Sequence, residues 1–288
     1  MKVGITGSSG ILGVSVKRIL SEKNIEHVSI VRSEISLERK KSLAISYFES
    51  LNIDILIHCA ANTNVEWCEE NISQCYRDNF EWTRYIAEIC NFLNIKLIFV
   101  SSTGVYGESK KSPYCENDIA KPTTHHHRSK LLAERAVESI CRDYIIIRTG
   151  WLFGGDWRQS KNFVANRIRE CLSSSGEINS NDDQYGNPTY TCDVALQIIH
   201  LFENKCIGVY NCVNQGKATR YEYVKEIIEI SGIKVKVKPV PSCNFLRKAK
   251  VSFNESAENY NLKKDSVDIM PHWKKSLRKY LEDNLNEW

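Results

Sequence analysis

Residues whose types and spacing suit chemistry cluster first at Thr6-Gly7-Ser8-Ser9-Gly10-Ile11-Leu12-Gly13, after an apolar run and before a helical one. Gly7 permits a tight turn, Gly10 lets backbone approach a pyrophosphate, and Gly13 allows a following helix to pack closely on its strand. The first N–H groups of that helix would then face the phosphates. A glycine pattern alone is weak and can be a turn without a ligand; the strand before it and the helix after it give it weight. The second strand-like run ends in Val31-Arg32-Ser33. A carboxylate there would accept hydrogen bonds from a ribose 2′-hydroxyl, whereas an arginine suits a 2′-phosphate. Arg32 and Ser33 therefore favour NADP(H), and Glu34 beside them keeps NAD(H) open. A second reactive group is His125-His126-His127. Consecutive helical residues point in different directions and no carboxylate follows one turn on, so no metal site is expected.

These groups need a frame. Residues 2–6, 27–31, 53–60, 97–101 and 144–148 are short β-branched or apolar runs of the kind buried in parallel sheets. Between them, 11–21, 37–51, 75–93 and 129–139 place apolar residues three and four apart, as crossover helices do. The expected class is α/β: a doubly wound parallel sheet, a dinucleotide-binding Rossmann domain over residues 1–150, with a smaller substrate-binding lobe over 151–288. In the second half, 162–173, 193–203, 221–231 and 273–285 read as helices and 208–213 and 235–240 as strands. Some of these segments could return to the first domain. A lobe over the carboxyl ends of the first sheet would close a cleft, the usual ligand site of open α/β sheets.

Composition bounds the alternatives. The 288 residues are 42% hydrophobic, enough for a large core, and 39 Lys+Arg against 35 Asp+Glu leave only +4 with no dense basic block. Nucleic acid is not an expected partner. No apolar run approaches the ~18 residues of a membrane span, and a strand starting at Lys2 leaves no room for a leader, so a cytoplasmic protein is expected. Eleven cysteines, none in a C-x-x-C pair, read as reduced thiols.

Longer stretches add detail. Residues 54–63, DILIHCAANT, are followed by Val65-Glu66-Trp67-Cys68-Glu69; 99–107 read FVSSTGVYG; 148–153 read RTGWLF; 183–189 read DQYGNPT. With the glycine turn, these motifs resemble the extended short-chain dehydrogenases, and within them the dTDP-4-dehydrorhamnose reductases, over nearly the whole chain. The resemblance implies an NAD(P)H-dependent reductase of a nucleotide-activated 4-keto-6-deoxy sugar, serving deoxysugar and surface-polysaccharide biosynthesis. An epimerase or dehydratase of the same fold, or a non-catalytic NADP-binding regulator, is the alternative. By position, Gly7, Gly10, Ile11, Leu12, Gly13, Ala60, Ala61, Asn62, Val100 and Lys130 would line the cofactor. Ser102 would hold the substrate carbonyl, Thr103, Tyr106 and Trp151 would contact substrate, and Asn79 would support the site. A homodimer is compatible with this reading.

The sequence departs from the pattern at one reacting position. Within residues 122–134, PTTHHHRSKLLAE, the Pro, Ser, Lys and Glu of the family motif fall in place, but His126 stands where a proton-donating Tyr belongs. Three Tyr-x-x-x-Lys matches, at Tyr106, Tyr221 and Tyr260, lack the right surroundings. Three readings follow: His126 is the proton donor, its pKa depressed by Lys130; Tyr106 or a water replaces it; or the protein binds without turnover. His125 and His127 read as solvent-exposed. Ser36 stands where an adenine-contacting Asp is usual, residues 253–256 hold no clean base-binding motif, and spacing does not place Trp82, Trp157 or Trp288.

Overall fold

A computed structural model describes residues 1–284; the expected helix end at Leu285 and Trp288 lie outside the described residues. The apolar runs become β1 (Lys2–Thr6), β2 (Glu26–Ser29), β3 (Ile55–His58), β4 (Lys96–Ser102) and β5 (Tyr144–Thr149). Beyond them lie β6 (Leu152–Phe153), β7 (Glu177–Asn181), β8 (Tyr185–Gly186), β9 (Thr189–Tyr190), β10 (Gly208–Asn211), β11 (Ala218–Thr219) and β12 (Lys236–Val240). Six strands form one sheet in the order β10-β5-β4-β3-β1-β2, every pairing parallel. Alternation along each strand divides the core: Val3, Ile5, Ile57, Ile98 and Ile147 bury on one face, Leu56, Leu97, Phe99 and Ile146 on the other.

Helices cover both faces. On one side α1 (Ile11–Glu22) packs with Val16, Ile19 and Leu20 against the sheet. On the other, α2 (Lys41–Leu51) follows a 3-10 turn at Arg32–Ile35, so the helix expected from residue 37 begins later. Short α3 (Val65–Glu70) leads into α4 (Ile72–Tyr76), a π turn at Arg77–Glu81 and α5 (Trp82–Phe92), which together extend the helix expected from residue 75. Helix α6 (His125–Ile140) starts four residues earlier than the periodicity suggests, because Thr124 caps it: its Oγ1 accepts from His127 N at 3.2 Å. All three consecutive histidines therefore belong to its first turn. Trp82 is buried and donates from Nε1 to the Ile35 carbonyl (3.0 Å), and Trp157 is buried in the second lobe.

Residue 150 is not a clean boundary. Strand β10 pairs in parallel with β5, and helix α8 (Thr191–Glu203), following α7 (Phe163–Ser173), buries Ile198 and Leu201 beside α1. The rest forms an aromatic lobe in which Phe153, Tyr190, Tyr223, Trp273 and Tyr280 cluster among α7, α9 (Arg220–Ser231) and α11 (Trp273–Asp283). Short α10 (Tyr260–Lys264) flanks β10. The expected strand near 235–240 forms as β12 and pairs with β7. Because β2 lies on one side of β1 and β3 on the other, the strand order reverses there and the carboxyl ends open into a crevice.

Candidate active site

The glycine turn sits at that crevice. Gly7 has φ +64°, and a Cβ on it would lie 2.7 Å from the Ala60 N; on Gly13 a Cβ would lie 2.2 Å from the Gly7 carbonyl oxygen. Neither position tolerates a side chain, so turn, β3 loop and helix pack at backbone distance. Gly13 thus serves helix-to-turn contact rather than helix-to-strand contact. Gly10 is exposed and precedes α1 without a side-chain cap, so the free N–H groups of Ile11 and Leu12 and the positive end of the helix are offered to an anion. These residues fit a dinucleotide phosphate. Beyond β2, Arg32 lies over the Trp82 ring (4.8 Å) and donates to Asp78 Oδ1 (2.8 Å), its side chain two-thirds exposed at 67%. Arg39 adds a second cation, donating to the Ser33 carbonyl (3.2 Å) and to Glu34 (2.5 Å).

The loop after β3 is clamped by an amide pair: Asn62 N donates to Asn79 Oδ1 (2.8 Å) and Asn79 Nδ2 donates to the Asn62 carbonyl (3.1 Å). The π turn places Asn79 there, a common use of such bulges. Asn79 Nδ2 also lies 3.2 Å from Ser129 Oγ and 3.4 Å from His126 Nδ1, joining the cofactor loop to α6. His126 is buried. Desolvation first, then the charges of His127 and Lys130, hold its pKa well below the ordinary imidazole value, against a hydrogen bond to the Asn62 backbone carbonyl. It is a neutral imidazole at physiological pH.

Lys130, one turn further, donates to the Val100 carbonyl (2.5 Å) and lies over Phe99 (4.1 Å). Burial pushes its pKa down to about 7, with Glu134 and Cys59 opposing. Ser102 ends β4 half-buried, and its Oγ accepts from Gly104 N (3.2 Å), which leaves its O–H free to donate.

Three expectations change. Tyr106 is fully buried, donates to Asn211 Oδ1 (2.7 Å), accepts from Arg148 Nη1 (3.1 Å) and stacks on Tyr114, so its hydroxyl is engaged in the core rather than turned to the cleft. Thr103 is buried against Gly150, where a Cβ would lie 2.4 Å from its Oγ1, and does not reach the cleft surface. His127 is buried too, its ring filling the space beside Gly104 and its Nδ1 3.0 Å from Thr124 Oγ1. Only His125 keeps a partly open position, 3.5 Å from the Tyr76 hydroxyl.

Trp151 holds a left-handed backbone (φ +47°) two residues past β5 and donates from Nε1 to Glu255 Oε2 (3.1 Å). Several groups at this cleft have no local signature in the sequence. Gln159 Nε2 donates to the Ser9 carbonyl (2.9 Å), Lys161 Nζ to Thr63 Oγ1 (2.9 Å), and Glu66 accepts from Arg247 Nε (2.7 Å) and from the backbone of Lys248 and Ala249. The second lobe is thereby fastened across the crevice. Glu255 falls in the 253–256 stretch left unassigned, and Arg220 is marked only by the Thr219–Glu222 capping box beside it.

The family model of the RmlD substrate binding domain matches residues 1–286. The chain belongs to that family. Among relatives of this RmlD-family chain is the spore coat polysaccharide biosynthesis protein SpsK of Bacillus subtilis, 28% identical over 98% of this chain and 97% of the relative. Among solved structures, a dTDP-4-dehydrorhamnose reductase of Clostridium acetobutylicum superposes with a TM-score of 0.93 at 29% identity, covering all of both chains. The Bacillus anthracis enzyme of the same name, solved in complex with NADP, gives 0.91 at 26% identity, covering 98% of this chain and 99% of its own. The doubly wound fold read from the sequence is the fold of these enzymes. Among the described residues, no helix is long and apolar enough to cross a membrane.

Proposed function

We propose that this RmlD-family chain is an NADPH-dependent reductase of a nucleotide-activated 4-keto-6-deoxy sugar, of the dTDP-4-dehydrorhamnose reductase type, in deoxysugar and polysaccharide biosynthesis. The observation behind this reading is convergence: the glycine turn, Asn62, Ser102, His126 and Lys130 lie on the carboxyl side of one sheet, joined through Asn79 and the β4 backbone. Gly7 to Gly13 would hold the pyrophosphate, Ala60 to Asn62 the middle of the cofactor, and Arg32 and Ser33 the 2′-phosphate. When bound, the nicotinamide supplies a hydride.

The chain's own groups handle the oxygen of the substrate carbonyl. Ser102 donates its free O–H to that oxygen, and the neutral His126 imidazole offers a ring N–H to the same atom; a neutral imidazole can polarise a carbonyl without an ionised partner. The Lys130 ammonium, one helical turn from His126, offsets negative charge developing there, and its acidity makes it the nearest proton reserve at neutral pH. With Tyr106 committed to Asn211 and Arg148, proton delivery runs through this pair and solvent.

Absorbance-monitored NADPH oxidation with dTDP-4-dehydro-6-deoxyhexose tests the reading, comparing the natural chain with His126→Ala and His126→Tyr. Turnover by the natural chain, reduced about 10²–10⁴-fold in His126→Ala, is the expected outcome. Turnover by His126→Tyr alone would mean a fold that binds these ligands without chemistry. Silence from all three would remove the reductase assignment.

A further inference from the structure

Arg220 is the first residue of α9, and its guanidinium lies 3.5 Å over the Trp151 ring and 5.0 Å from the Phe163 ring. Phe163 stacks in turn on Tyr223, with centroids 5.0 Å apart. The indole is backed by Gly186, where a Cβ would lie 2.2 Å from Trp151 Cε2. A guanidinium at 3.5 Å and a backbone in contact cannot share one face, so Trp151 is held between Gly186 and Arg220. The result is a column: Gly186, Trp151, Arg220, Phe163, Tyr223. It fixes the plane of the guanidinium while leaving its edge, where the N–H donors point, uncovered by rings.

Those donors lack an acceptor. Among the described residues, the Arg220 side chain takes part in no hydrogen bond or ion pair, and its guanidinium lies over two ring faces. Glu255 is near enough to favour the charged form but spends its Oε2 on Trp151 Nε1; Arg247 and Arg167 oppose it. Burial is the leading influence and pushes the pKa down to about 10, so the group stays cationic at neutral pH. A fixed, half-buried cation with a free planar donor edge is suited to bidentate capture of an oxyanion. Its position relative to the reacting end is set by backbone: Trp151 follows Gly150, which packs on Thr103, the neighbour of Ser102.

We infer that Arg220, levelled by Trp151 and Phe163, is the anchor for the diphosphate of the nucleotide-sugar substrate. This inference rests on the reductase reading for its ligand. A sugar whose carbonyl meets Ser102 extends away from the nicotinamide along the Trp151 wall, and the next group along a nucleotide sugar is the doubly charged diphosphate. Trp151 then acts through its edge and as a support for Arg220, because both its faces are covered.

Arg220→Met keeps a long apolar stem in the column and removes charge and donors; Arg220→Lys keeps charge without the fork. For Arg220→Met, the KM for the nucleotide sugar should rise about 10–100-fold with a much smaller change in kcat, as expected for loss of a charged hydrogen bond. Arg220→Lys should fall between. NADPH affinity, followed by nicotinamide fluorescence, should stay within about 2-fold. Inorganic pyrophosphate should compete with the sugar on the natural chain and about 10-fold more weakly on Arg220→Met. A melting curve identifies an unfolded variant, in which case Arg220→Lys decides, by a smaller rise in KM and a smaller loss of pyrophosphate inhibition in the same directions. Turnover with unchanged KM and unchanged pyrophosphate inhibition would overturn the anchor and leave the reductase reading intact. Conversely, a chain without turnover that binds pyrophosphate calorimetrically through Arg220 would keep the anchor and remove that reading.

Discussion

At the scale of single residues, the catalytic question centres on a histidine that cannot ionise near neutral pH and a lysine that can. An imidazole in water would impose an acid limb on activity near pH 6.5, but burial beside His127 and Lys130 moves that limb out of reach. Lys130, with its pKa pushed down to about 7, is charged below that pH and neutral above it. The kcat/KM profile should therefore decline as pH rises through about 7 and stay flat down to about pH 6. Lys130→Met should erase the decline and lower the rate about 10²–10⁴-fold. A profile that instead falls on the acid side near 6.5 would mean that His126 is solvated and titrates normally.

At the scale of elements, a buried polar bolt keeps α6 aligned with the sheet. Glu134 on α6 accepts from Arg148 Nη2 (2.7 Å) on β5 and from Ser101 Oγ (2.5 Å) on β4, and Arg148 Nη1 continues to the Tyr106 hydroxyl (3.1 Å). Tyr106 reaches Asn211 on β10, so three neighbouring strands and α6 share one network. Glu134 is 1% exposed and Arg148 8%. Removing either partner alone strands a buried charge; replacing both by apolar residues does not. Arg148→Met should cost about 3–5 kcal/mol in urea denaturation, and Glu134→Leu with Arg148→Met should recover most of it. Equal losses in the single and double variants would show that the network contributes net stability rather than alignment. The same network explains why Tyr106, four residues past Ser102, points into the core: its hydroxyl has two buried partners there and none in the cleft.

At the scale of the whole molecule, several buried histidines link folding to pH. His58, fully buried on β3 with Nδ1 2.6 Å from Thr6 Oγ1 and Nε2 3.2 Å from Thr83 Oγ1, has its pKa lowered to about 3, by burial first and Lys130 second. His126 and His127 shift in the same direction. Each is neutral when folded, so below pH ~6.5 the unfolded chain binds protons that the native chain refuses. Stability is complete above that value and falls as pH drops toward 3. His58→Gln should flatten the fall between pH 6 and 4 by up to about 1.4 kcal/mol per pH unit, read from melting curves. An unchanged slope would mean that His58 does not titrate in unfolding. The sequence by itself determined the alternating parallel sheet and the glycine turn, because apolar runs, helical periods and turn glycines are local patterns with local causes; it offered Ser102, His126 and Lys130 as candidates through the family motifs. Only the tertiary structure decided that β10 and α8 return to the first domain, that Tyr106, Thr103 and His127 are buried, and that Trp151, Arg220 and Glu255 meet. Those residues are tens of positions apart, and their contacts, protonation and exposure depend on how packed elements exclude water, a property of the assembled fold.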